Sequence, residues 1–262
     1  MTKQELTIYP LSDFDGLRRA GRLAAETLDY ITEYVVPGVT TGALDDLLEA
    51  FMRAGGGIPA NIGYHGFPKA SCISPNHVVC HGIPSEKKVL QEGDIINIDI
   101  TVILDGWYGD TSRMYYVGKP SVKARRLVET TYDTMMAGIR MAKPNMTLGD
   151  IGYAMQETAF SKGYSVVEDY CGHGIGRVYH SMPNVLNYGI PGQGVKLVPG
   201  LVFTVEPMVN VGKSDTVVLS DGWTVITKDR TLSAQFEHTI GITPDGCEIF
   251  TLSPKGYTKP PY

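Results

Sequence analysis

The chain repeats itself at a fixed offset, and this repeat limits the possible folds more than any other feature. The stretch PGVTTGALDDLLEAF at 37 resembles PNMTLGDIGYAMQET at 144, and 144 − 37 is 107. GDIINIDI at 93 aligns with GLVFTVEP at 200, and 200 − 93 is again 107. In that register Asp99 falls on Glu206. GYHG at 63 and CGHG at 171 nearly keep the spacing, and each half has a DGW, at 105–107 and 221–223, followed by an acid, Asp110 or Glu237. One helix–helix–strands unit alone would leave a face of its sheet open. Two diverged copies packed about a pseudo-twofold axis bury that face and set their matching acids opposite each other. The expectation is one domain over 1–262, with pseudo-repeat halves at roughly 13–119 and 120–250.

Apolar periodicity fills in the units. Leu17, Leu23, Ala24, Leu28 and Ile31 recur near helical spacing and the pattern stops at Pro37-Gly38, so 12–35 is expected to be helical. A threonine start and a glycine stop bracket a second helix over 40–57. A third is expected over 121–143, before Pro144, and a fourth over 147–164. Strand-like runs lie near 93–104, 201–206, 223–227 and 236–243.

Composition excludes several classes. The net charge is −5 with no basic stripe, so nucleic acid is not expected as a specific partner. No stretch approaches the roughly 18 apolar residues of a membrane span, and the N-terminus lacks a signal-peptide core. Cys72, Cys80, Cys171 and Cys247 form no CxxC pair, which argues against a disulfide framework or a zinc knuckle. A reduced, cytoplasmic protein is the simplest reading.

The chemistry lies in acids placed within apolar strands. Period-2 alternation puts Asn97, Asp99 and Thr101 on one face and Ile96, Ile98, Ile100 and Val102 on the other. Thr204 and Glu206 likewise oppose Phe203 and Val205, and SAQFEHTI adds Glu237 in the same manner. Any one of these acids alone reads as a strand-end charge in a salt bridge. Four in matched positions of a repeat are different, because converging carboxylates without positive charge repel and protonate. A divalent cation, or two, removes the problem. In YCGHGIGRVYH, Gly172 and Gly174 leave room for close approach around His173, and His180 follows. One imidazole with four carboxylates suits Mn, Fe(II) or Co better than a thiolate-loving metal. Nothing resembles a structural zinc site or an EF-hand loop.

The segments NIDITVILDGWYGDTSRMYYVG, CGHGIGRVYH, TVEPMV, DGWTVITKDRTLSAQFEHT and GYHGFPKASCISPNHVVCHGIP closely resemble type I methionine aminopeptidases, and the resemblance covers nearly the whole chain. It implies an α+β, pita-bread fold: two pseudo-symmetric helix–helix–strand halves around a curved antiparallel sheet, with helices on the outer face. It implies removal of the initiator methionine from nascent proteins by metal-activated water, favouring a small second residue. Asp99 would hold one ion, His173 and Glu206 the other, and Asp110 and Glu237 both. Glu206 would shuttle the proton, His180 would bond the scissile carbonyl, and His81 would sit near the substrate nitrogen. Tyr64, Phe67, Cys72, Tyr179 and Trp223 would line the methionine pocket together with the two histidines.

Three positions depart from the pattern. Phe67 and Tyr179 stand where tyrosine and phenylalanine are expected, which moves a hydroxyl, and Asn61 replaces a common cysteine at the pocket rim. A monovalent cation near Asn76, Val78 and Ser233 is also implied by the resemblance alone. So are a monomeric state and transient contact with the ribosome. The alternatives are a proline-specific peptidase of the same fold, or a non-catalytic pita-bread binding protein.

Overall fold

The computed structural model describes residues 6–262. The first half contributes helices α1 (Phe14–Ile31) and α2 (Thr41–Ala54), then strands β1 (Ile58–Pro59), β2 (Ser71–Pro75), β3 (Val78–Cys80), β4 (Ile95–Leu104) and β5 (Trp107–Tyr116). The second half begins with α3 (Val122–Met141) and α4 (Leu148–Phe160). Strands β6 (Ser165–Val166), β7 (Gly172–Gly174), β8 (Ser181–Val185), β9 (Val202–Val205) and β10 (Met208–Asn210) follow. The last are β11 (Thr216–Val218), β12 (Val225–Thr227), β13 (Ser233–Gln235), β14 (Glu237–Thr243) and β15 (Gly246–Ile249). The repeat offset survives in the fold, since the starts of α2 and α4, and of β4 and β9, are separated by it (148 − 41 and 202 − 95 are both 107).

Local chemistry explains the helix starts. Thr40 and Ser121 accept the backbone N–H of Ala43 and Ala124. Thr147 and Asp150 form a reciprocal capping box at α4.

The main sheet is antiparallel in every pairing and runs β1-β4-β5-β14-β9-β7-β8, with β2 added on β4 and β15 on β14. One face is covered by helices. Ile96, Ile98, Ile100 and Val102 pack with Leu23, Leu28, Leu44 and Leu48 of α1 and α2. Phe203, Val205, Ile240 and Ile242 pack with residues of α3 and α4. Each of these buried side chains contributes up to about 1.5–3 kcal/mol relative to exposure. A third cluster, including Phe14, Trp107, Val202 and Phe250, joins the halves. The opposite face, carrying Asp99 and its counterparts, faces a cavity.

The two DGW stretches differ. Leu104 pairs with Trp107 across a two-residue turn, and Asp105 and Gly106 both have positive φ, at 52 and 75. That turn returns β5 beside β4 and buries Trp107. In the second DGW the Asp221 carboxylate accepts the backbone N–H groups of Trp223 and Thr224. Strand β12 therefore starts at Val225, two residues later than expected, and Trp223 is left to face the cavity.

Candidate active site

All five proposed ligands stand in two neighbouring cross-strand rows. In one row Cys72 opposes Asp99, Asp99 opposes Ser112, and Ser112 opposes Glu237. The β14–β9 register, which pairs His238 with Val205, continues by one residue to set Glu206 opposite Glu237. The second row lies two residues along. Thr101 opposes Asp110, and Thr239 opposes Thr204 and bonds Asp110's backbone. Thr204 Oγ1 accepts the backbone N–H of His173 at 3.0 Å. Residues two apart on a strand share a face, so both rows point into the same cavity.

His173 can enter its row because its flanking residues are glycines. A Cβ at Gly172 would lie 2.4 Å from the Thr204 carbonyl oxygen, and one at Gly174 2.2 Å from that of Met182.

The donor atoms converge. One donor atom each from Asp110, His173 and Glu237 lies within 4.8 Å of the others. His173 Nε2 lies 3.5 Å from Asp110 Oδ2 and 3.6 Å from Glu206 Oε1. Among the described residues no side chain donates a hydrogen bond to the Asp99 carboxylate, and no lysine or arginine lines the cavity. The electrostatic consequence is strong. Burial, then the charges of Asp110 and Glu206, pushes Asp99 well above the carboxylate range. Burial and the charges of Asp110, Glu206 and Asp99 do the same to Glu237. Burial raises Glu206 to about 7 despite the opposing charge of His173. Burial disfavours the charged form of His173, but its bond to Asp110 and the charge of Glu206 outweigh this and raise its pKa. An oxygen-rich cluster with one imidazole and no lysine or arginine to balance its four carboxylates fits a hard or borderline divalent cation. Such a cation would restore the ionised carboxylates.

Above this floor rises an aromatic wall around about 570 Å³ of space. Phe67 meets Trp223 edge-on at 5.1 Å, and His81 meets Trp223 at 6.1 Å. His180 stacks on Tyr179 at 4.0 Å and leans on His173 at 4.1 Å. Its Nδ1 lies 2.8 Å from the Tyr64 hydroxyl. Burial of the ring against its neighbours, then the charge of His173, lowers His180 to about 4, although the residue as a whole is exposed to solvent. Burial lowers His81 as well. Both imidazoles are neutral near pH 7 and able to donate one N–H. Cys72 is buried beside Asp99, and all four cysteines are free.

Every catalytic, metal and substrate residue expected from the sequence lines this cavity, whereas Asn76, Val78 and Ser233 of the expected monovalent-cation site do not. Asn61 differs from its expected place, because it is 4% exposed and forms part of the wall rather than the rim. Burial fits its role there, since its side chain lies 2.8 Å from the Tyr179 hydroxyl. Sequence reasoning missed Gln235, whose Nε2 donates to Glu206 Oε2 at 3.2 Å, and Tyr170, edge-on to His81. Gln235 precedes Glu237 by two, so the period-2 pattern already held that signal. Tyr170 lies in a loop and carried none.

Residues 15–244 match the model of metallopeptidase family M24. The chain is 59% identical over 258 residues to a methionine aminopeptidase of Rickettsia prowazekii, spanning 98% of this chain and 99% of that one.

The chain belongs to metallopeptidase family M24.

Within M24 it belongs with the methionine aminopeptidases, and its fold is the pita-bread fold. A crystal structure of methionine aminopeptidase from Rickettsia prowazekii matches with a TM-score of 0.93 at 59% identity, over 95% of this chain and 100% of that one. The Thermotoga maritima methionine aminopeptidase matches at 0.92 and 39% identity, over 94% and 99%. The prolidase from Pyrococcus furiosus, at 22% identity and a TM-score of 0.74, covers 93% of this chain and 65% of that one, and shares the fold alone. Among the described residues of this M24 chain, no helix is long and apolar enough to cross a membrane.

Proposed function

We propose that the chain removes the N-terminal methionine of polypeptides by hydrolysing the first peptide bond with two divalent ions. The observation that carries this reading is the convergence of four carboxylates and His173, with no lysine or arginine beside them, at the foot of an aromatic wall. Asp99 would hold one ion, His173 and Glu206 the other, and Asp110 and Glu237 both. Bound divalent ions supply Lewis-acid polarisation and lower the pKa of water.

The protein's own groups do the rest. Glu206 is near enough to His173 and Gln235 to be held in place, and it takes the proton of the attacking water and passes it to the leaving amine. His180 donates its Nε2–H to the scissile carbonyl oxygen, and its Nδ1 is fixed by Tyr64. His81 faces the substrate nitrogen. Phe67, Trp223, Tyr64, Tyr179 and Cys72 surround the methionine side chain, and a preference for a small second residue belongs to the same reading. Asp99 lies at the side of the cluster away from His173, where the substrate's α-amine would bind its ion. Binding the free amine there restricts cleavage to the first residue.

Mn, Co and Fe(II) all suit the donor set. A monovalent cation near Asn76, Val78 and Ser233 belongs to the same reading, and Ser233 Oγ is buried without a partner beside the Asn76 carbonyl. So do a monomeric state and transient contact with the ribosome, which sedimentation alone and with ribosomes tests. Methionine release from Met-Ala-Ser, absent after chelation and restored by Mn, Co or Fe(II), is the direct test. Folded protein that releases none with any of these ions defeats the reading.

A further inference from the structure

Thr101, Tyr179, Asn61 and Cys72 form a continuous polar path from the aromatic wall to Asp110. Thr101 Oγ1 lies 2.7 Å from Asp110 Oδ1 and 2.6 Å from the Tyr179 hydroxyl. That hydroxyl lies 2.8 Å from the Oδ1 position of Asn61, whose other amide atom is 3.7 Å from Cys72 Sγ. Thr101 is fully buried, Asn61 is 4% exposed and Cys72 5%, while Tyr179 is half-buried, so the two ends of the path are closed to water.

The protons of this path can be counted. A carboxylate only accepts, so the single proton of Thr101 goes to Asp110. Two hydroxyl oxygens 2.6 Å apart must share a proton, and the only one left is that of Tyr179. Tyr179 then has none to give Asn61. The amide of Asn61 must be flipped end for end, which exchanges its N and O without moving the side chain, so that its NH2 faces Tyr179 and its carbonyl faces the Cys72 thiol. In that arrangement each short contact carries one proton, and the dipoles align toward Asp110.

We propose that Asn61 and Tyr179 are positioning residues. Asn61 donates to Tyr179, Tyr179 to Thr101 and Thr101 to Asp110, and this relay holds the Asp110 carboxylate in the orientation in which it binds cation. The relay rests on the cation-binding role given to Asp110 above. It ties the wall of the methionine pocket to the cation site, and it arises from two of the departures noted in the sequence, Tyr179 and Asn61. It also occupies the one hydroxyl that Tyr179 would otherwise present to a thioether, so its ring meets substrate as an apolar surface. A phenylalanine at 179 would end the path at Thr101.

The test is calorimetric titration of the cation-free full chain with Mn(II). Partners that orient a ligand typically matter by about 10–100-fold in metal affinity. Tyr179→Phe should weaken Mn(II) binding by about tenfold. Asn61→Ala should weaken it in the same direction. The double variant should be no worse than Tyr179→Phe alone, because both cut one path. Losses that multiply, or wild-type affinity in Tyr179→Phe, overturn the relay. A wild type that binds no Mn(II) and releases no methionine overturns the functional reading, and the relay with it. A wild type that does both, beside a Tyr179→Phe variant of equal affinity, overturns the relay alone.

Discussion

Asp99 and Glu206 stand one repeat apart in sequence (206 − 99 is 107) and meet in one cross-strand row, joined through Ser112 and Glu237. Each comes from the cavity face of the equivalent strand in its half, so the twofold repeat itself brings the carboxylates together. Neither half could build the site alone, since β5 and β14 are the seam between the halves.

Asp99→Asn separates the two roles of this charge. Asp99 is raised by burial and by Asp110 and Glu206, so its charge is unfavourable in the cation-free fold. Removing it should leave cation-free protein at neutral pH as stable as wild type or more so. It should also lower bound metal and methionine release together. Elemental analysis, a peptide assay and a melt of the chelated protein check all three. Full activity at unchanged metal content would mean that Asp99 is not a ligand.

Cation binding should depend on pH with a definite sign. Glu206 is raised to about 7, and Asp99, Glu237 and His173 are raised as well. A group with a raised folded pKa holds its proton in the cation-free fold until pH rises through that value, and a cation must displace the proton. Mn(II) affinity should therefore fall as pH drops through about 7, with protons released on binding. His180 and His238, lowered to about 4 and about 3, affect fold stability in the opposite direction, which is why affinity and not melting is the readout. Titration in buffers of different ionisation enthalpy measures the released protons. Glu206→Gln should reduce their number.

The face of each acid was legible in the sequence because strand periodicity is rigid. Ile96, Ile98 and Ile100 could go only to the helices, which left Asn97, Asp99 and Thr101 for the cavity. The helices were legible from capping residues and apolar spacing. What periodicity could not carry was the excursion between Glu206 and Glu237. There the first half has a two-residue turn and the second has β10 to β13, and Trp223 is aimed by the carboxylate of Asp221. Nor could it show that Asn61 and Tyr179 meet, since their 2.8 Å contact spans 118 residues of chain and depends on packing between the halves.

His180 should matter for rate more than for metal. Its ring lies beside His173 and is neutral at working pH, so it can donate to a developing oxyanion without changing the ligand set. Loss of one such donor typically costs about 10²–10³ in kcat. His180→Ala should show a loss of that order with Mn(II) affinity within a few-fold of wild type. A variant that loses metal and rate in parallel would place His180 among the ligands instead.

Trp223 should set which side chain is accepted. Its indole closes the cavity beside Phe67 and His81, while its backbone N–H, not its ring, is held by Asp221. Trp223→Ala therefore removes wall and keeps the turn. Fully burying a methionine side chain is worth about 1.5–3 kcal/mol, and losing one side of the pocket forfeits part of that, about tenfold in KM. The ligand cluster is untouched, so kcat should change less than KM. The opened space should also admit larger residues, and the ratio of kcat/KM for Met-Ala-Ser over Phe-Ala-Ser should fall. Comparing the two peptides on wild type and variant at saturating Mn(II) gives the answer. An unchanged ratio would mean that the discriminating surface lies with Tyr64 and Tyr179, which pack against each other at 4.7 Å, rather than with Trp223.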